Sequence, residues 1–137
     1  WQALDLLKVS RIDHGVRCME DAALVGRLKR DRVPLTVCPL SNVRLHVVPC
    51  LSEHPLKRML DAGLLVTINS DDPAYFGGYV AENYERTADA LRLGDAALAE
   101  LAKNSFEASF LEPAAKRRRL TEIDRADPQR LQGARLR

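Results

Sequence analysis

The chain is predicted to be an α/β protein built on a parallel sheet, and three observations carry that prediction. Short apolar segments alternate with amphipathic ones. The apolar segments run nearly unbroken instead of alternating in polarity, as burial on both faces of a sheet requires. Gly and Pro fall mostly at segment ends, where they punctuate the pattern without interrupting it.

In chain order, "VSRID" (9–13) is the first strand candidate. "MEDAALVGRLKRD" (19–31) follows as a helix, with Leu24, Val25 and Leu28 at helical spacing over a charged face. "VPLTVC" (33–38) repeats the strand signal between prolines. After a loop, "EHPLKRMLDAG" (53–63) reads as a helix, with Pro55 tolerable in a first turn and Gly63 as its C-terminal stop. "LLVTINS" (64–70) is the third strand. Helices are then expected over 80–93, 95–111 and 113–124, separated at Gly94 and Pro113. Residues 125–137 lack a clear apolar face and are expected to form a mobile tail. The pattern therefore amounts to about three βα units plus C-terminal helices. Three strands cannot close a barrel, and a small parallel sheet exposes unpaired backbone at both edges. The opening "WQALDLLKVS" lacks an initiator Met and reads like the start of a fragment. The natural completion is a doubly wound sheet or a (β/α)8 barrel.

At 137 residues the chain has room for one ordinary domain, and its formal charge of +2 is too small to imply nucleic acid or an anionic membrane as partner. No apolar run approaches a membrane span. Cys18, Cys38 and Cys50 are odd in number and outside any CxxC pattern, which argues against a disulfide framework or a cysteine zinc site and for a reducing, cytoplasmic setting.

Each strand is followed at once by residues that a plain turn does not need: "DHG", "CPLSN" and "NSDDP". Right-handed crossovers put the C-terminal ends of parallel strands on one side, where α/β enzymes assemble their sites. Asp13, His14, Ser41, Asn42, Asp71 and Asp72 are therefore expected to converge. Two adjacent carboxylates repel when partly buried, so a cation or a ligand donor is the usual compensation. Asp72 before Pro73 also fits a plain helix N-cap. His14 could cap a carbonyl or act on a reacting group. Cys38 reads as a small buried residue, and His46 and His54 as structural or solvated. Ser41 and Asn42 could brace the loop or line the pocket. "YFGGY" (75–79) could wall a flat ligand or pack on the next helix. "KRRR" (116–119) sits in a mixed-charge helix and reads as a solvated face.

"RIDHG", "VCPLSN", "HPLKRMLDAG" and "NSDDPAYFGGY", in this order and with these gaps, resemble the C-terminal half of the adenosine and adenine deaminase family over roughly residues 8 to 124. Members typically carry Gly between Ile and His in the first motif and Thr in the last, so Asp13 and "NSDDPAYFGGY" resemble the adenine deaminase branch. The resemblance implies a (β/α)8 TIM barrel, of which residues 1–124 are the C-terminal part and the three strands the sixth, seventh and eighth. It implies one zinc ion at the strand ends and hydrolytic deamination of adenine to hypoxanthine and ammonia.

By the same resemblance, His14 matches the histidine that orients and polarises the hydroxide activated at zinc. Asp71 matches a zinc-ligating carboxylate, and Asp72 matches the carboxylate that hydrogen-bonds the purine at N7. The family's HxH pair, a further zinc histidine and the glutamate that protonates the ring nitrogen fall before residue 1. The chain as given is thus expected to be inactive until an N-terminal barrel half completes it. The implied partners are a small-molecule purine and that missing half. Two other readings stand beside this one: an adenosine deaminase fragment, and a non-catalytic half-barrel that binds a partner protein at its open edges.

Overall fold

A computed structural model describes residues 1–126 and bears out the α/β reading. A short helix α1 (Gln2–Asp5) precedes strand β1 (Ile12–Asp13), and α2 (Ala22–Asp31) leads to β2 (Leu35–Val37). Then come α3 (Pro39–Arg44), α4 (Leu56–Asp61) and β3 (Val66–Ile68). Four helices close the described chain: α5 (Pro73–Phe76), α6 (Val80–Leu91), α7 (Asp95–Glu107) and α8 (Pro113–Ala126). The three strands lie in chain order and all run parallel, pairing Ile12 with Leu35 and Leu35 with Val66. From residue 127 on, the expected mobile tail lies outside the described residues.

The boundaries differ from the expected ones for local reasons. The second helix starts only at Ala22 because Asp21 is its N-cap: Asp21 Oδ1 accepts from the Ala23 and Leu24 amides at 2.9 and 3.1 Å. Residues Val16–Glu20 form a 3₁₀ turn before it. The segment read as a loop after the second strand begins as α3, with Pro39 in its first turn. The expected helix over 53–63 is split, because a residue before proline is biased away from helical dihedrals and His54 is extended (φ −64°, ψ 133°). The turn Leu51–Glu53 therefore ends at His54, and α4 starts afresh at Leu56.

The core lies under the sheet's helix-covered face. Leu28, Leu35, Val37, Leu56, Met59, Val66, Ile68 and Leu101 are all at 1% exposure or less. In β2, Leu35 and Val37 are buried while Thr36 between them is only half-buried, so one face of the strand is core and the other faces an open cleft. Asn104 Nδ2 donates to the Val66 carbonyl at 3.1 Å and ties α7 to β3. The sheet ladder runs one residue past the strands: the His14 amide donates to the Thr36 carbonyl and the Asn69 amide to the Val37 carbonyl, both at 2.9 Å. Residues just beyond the strands are thereby fixed by the sheet itself.

Candidate active site at the strand ends

The C-terminal ends of the three strands border a cleft of about 540 Å³, within the range of about 300–1,000 Å³ usual for small-ligand sites. His14 enters it from the end of β1, Cys38 from the end of β2, and Asn69, Ser70 and Asp71 from the end of β3. His14 and Asp71 both adopt left-handed backbone, at φ 57° and 58°. That conformation costs a side-chain-bearing residue on the order of 1 kcal/mol, although His and Asp tolerate it better than most. Gly15 continues the turn at φ 74°, and a Cβ there would lie 2.9 Å from Leu35 Cδ2, so the chain must carry glycine to bend this close to the sheet.

These turns bring His14 Nε2 to 3.5 Å from Asp71 Oδ2. Ser41, fully buried, donates its hydroxyl to the same Asp71 oxygen at 2.7 Å. Asn42 Nδ2 lies 3.2 Å from His14 Nδ1, on the far side of the ring. Ser41 and Asn42 thus brace the two cleft residues from α3; neither borders this cleft, and Asn42 lines a neighbouring hollow with His14. Asp13 borders the cleft and accepts from Thr36 Oγ1 at 2.7 Å, with Arg11 Nε 3.9 Å away.

Asp72 behaves differently. It is exposed, outside the cleft lining, and its Oδ1 caps α5 by accepting from the Ala74 and Tyr75 amides at 3.1 and 3.4 Å. The cap uses one carboxylate oxygen and leaves Oδ2 out of it. Tyr75 and Phe76 pack against each other with centroids 6.0 Å apart, yet neither borders the cleft, where Val80 forms the wall instead. Gly78 serves close packing: at φ 82°, a Cβ there would fall 2.6 Å from Leu40 Cδ1. His46 is exposed and not among the clustered ligand atoms, and His54 is buried at 3% exposure. Arg117, Arg118 and Arg119 face solvent, with Arg118 and Arg119 paired to Glu122.

The donor set fits a divalent cation in part. Ligand atoms of His14, Cys38 and Asp71 all lie within 4.8 Å of one another. Among the described residues no lysine or arginine pairs with Asp71, so its negative charge is open to a metal. Cys38 is less suited. Burial first, and then the Asp71 charge, push its thiol up to about 11, and it donates to the Thr36 carbonyl at 3.6 Å. A carboxylate oxygen beside an imidazole is a pairing that can contribute to a divalent-cation site, short of a full ligand set.

Residues 1–126 match the family model described as adenosine deaminase. The chain belongs to the adenosine deaminase family. It is 64% identical over 122 residues to the adenine deaminase of Cupriavidus pinatubonensis, covering 89% of this chain and 35% of that protein. The solved structure of adenine deaminase from Arthrobacter aurescens aligns with a TM-score of 0.89 at 54% identity, over 90% of this chain and 38% of that one. A zinc-bound amidohydrolase from Burkholderia ambifaria aligns at 0.80 and 25% identity, over 90% and 36%. The chain spans about a third of the length of the curated relatives it matches.

The structure also brings to the cleft residues to which motif reading assigns no role. Arg11, Thr36 and Asn69 border the cleft. Arg11 and Asp13 are two apart on one extended segment, and Thr36 is the polar residue between two buried ones. The period-two pattern of a strand is the signal that marks them.

Proposed function

We propose that this chain supplies the sixth to eighth strands and closing helices of a (β/α)8 barrel whose completed form is a zinc-dependent adenine deaminase. The observation that carries this reading is the 3.5 Å approach of His14 Nε2 to Asp71 Oδ2 at the cleft on the strand ends. Its support from relatives is the run of adenine deaminases at 54% identity and above. The reaction is hydrolytic: a C6–O bond forms on the purine, the bond from C6 to the exocyclic nitrogen breaks, and hypoxanthine and ammonia leave.

In this reading Asp71 is a zinc ligand, with Ser41 holding its Oδ2 in place. Bound zinc lowers the pKa of water so that hydroxide is available near neutral pH. His14, held by the ladder through its amide and by Asn42 through its ring, orients the attacking oxygen with Nε2. Asp72 contacts purine N7 with the oxygen its helix cap does not use, one of the two partners carrying the proton between them. Of the three clustered candidate donors, the Cys38 thiol is held protonated by burial, which leaves fewer than the three or four that zinc ordinarily takes from protein. The chain alone is therefore expected not to turn over adenine. The three free thiols suit a reducing, cytoplasmic setting.

The test is to mix this chain with the N-terminal remainder of a relative's barrel, add zinc, and follow adenine loss and ammonia release. Turnover is expected only in the mixture, and faster for adenine than for adenosine. Faster adenosine turnover would reassign the substrate, and no turnover of either would remove the deaminase reading.

A further inference from the structure

A second histidine sits behind the cleft and is linked to it. His54 and Asn42 are at 3% and 2% exposure, and both side chains have partners on two sides. The Leu56 backbone amide donates to His54 Nδ1 at 3.1 Å. His54 Nε2 lies 3.1 Å from Asn42 Oδ1, and Asn42 Nδ2 lies 3.2 Å from His14 Nδ1.

One end of this chain has a fixed direction. A backbone N–H can only donate, so His54 Nδ1 must accept, and the neutral ring then carries its proton on Nε2. Burial favours that neutral ring, pushing its pKa down to about 4. His54 Nε2–H needs an acceptor, which sets the Asn42 amide with its oxygen toward His54 and its NH₂ toward His14. A donating NH₂ requires a lone pair on His14 Nδ1, and the His14 proton is left on Nε2, the nitrogen that faces Asp71.

We propose that Asn42 and His54 are positioning residues that hold His14 as its Nε2–H tautomer, so that His14 meets the reacting side of the cleft as a hydrogen-bond donor. This inference rests on the reading of His14 and Asp71 given above, and assigns a role to His54, which by spacing alone reads as structural or solvated. Outer partners that orient a ring in this way typically carry about 10- to 100-fold of activity.

The test uses the full-length zinc-loaded enzyme with ring-¹⁵N histidine, His14 being assigned from the signals lost in His14→Gln. The wild-type spectrum is expected to show protonated Nε2 and unprotonated Nδ1 for His14. Asn42→Asp presents only acceptors, so His14 is expected to move its proton to Nδ1, with kcat down about 10- to 100-fold and KM for adenine within about threefold. His54→Leu frees the Asn42 amide to turn and is expected to give mixed tautomers. His54→Gln restores a donor near the Nε2 position, and is expected to recover the tautomer and most of the kcat lost in His54→Leu. A His14 that stays Nε2–H in folded Asn42→Asp, or a kcat unchanged in both Asn42→Asp and His54→Leu, would overturn the proposal. If His14→Gln itself leaves kcat intact, the fault lies in the assignment of the site and not in the relay alone.

Discussion

Burying His54 disfavours its charged form, and that makes stability depend on pH. Its pKa is about 4 in the fold against 6.5 for the free side chain. Between those values the unfolded chain binds the extra proton, so the stabilisation is full above about pH 6.5 and is lost as pH falls toward about 4. The loss between about pH 7 and about pH 5 is expected to be on the order of 2 kcal/mol. Urea unfolding at the two pH values measures it, and His54→Gln should remove most of the difference. A wild-type midpoint that does not move would show that the imidazole is hydrated in the fold. At this scale the sequence is informative where a residue directly ends a strand. His14 and Asp71 can be expected on one side because right-handed crossovers gather the C-terminal ends of parallel strands, while the left-handed turns that complete their 3.5 Å approach are not written in the period. The Asn42–His54 contact cannot be read that way. It depends on how residues 43–53 turn back, and neither periodicity nor spacing encodes that path.

Helix α3 illustrates how one element depends on another. Its N-cap position is Cys38, which provides no side-chain acceptor for the amides that a first helical turn leaves unpaired. Asn83, fully buried on α6, supplies one: its Oδ1 accepts from the Leu40 amide at 3.2 Å, while its Nδ2 donates to the Gly78 and Tyr79 carbonyls at 3.3 and 3.1 Å. The side chain thus joins the β2 exit, which carries Ser41 and Asn42, to the turn after α5. Asn83→Ala strands these groups and is expected to destabilise the fold by about 2–3 kcal/mol, with faster exchange of the Leu40 amide. Asn83→Asp keeps the acceptor and should lie between the two; equal stability for Asn83→Ala and wild type would show that water replaces all three bonds. The long helices α6, α7 and α8 are legible from apolar periodicity. The short α3 is not, because "CPLSN" has too few residues to show a period and its start is stabilised from a helix more than forty positions away.

At the scale of the whole molecule, the three parallel strands deliver site residues from one side only. Among the described residues the cluster offers one imidazole, one carboxylate and one thiol that burial keeps protonated. With its Nε2 protonated, His14 has no lone pair on the side facing Asp71, so Asp71 is the one ready donor for a zinc ion on this arc alone. Exposed apolar side chains border the arc at Val80 in the cleft wall and at Leu45 and Val47, which share a neighbouring hollow with His14. Calorimetric titration of zinc into the chain is therefore expected to show no tight, one-to-one site. The same titration with the complementary barrel segment present should show one, and Asp71→Asn should weaken it by at least about tenfold. The decisive contrary result is tight one-to-one zinc on the chain alone that is lost in Cys38→Ser. That outcome would mean the metal itself expels the thiol proton, making Cys38 a ligand and the arc a self-sufficient centre.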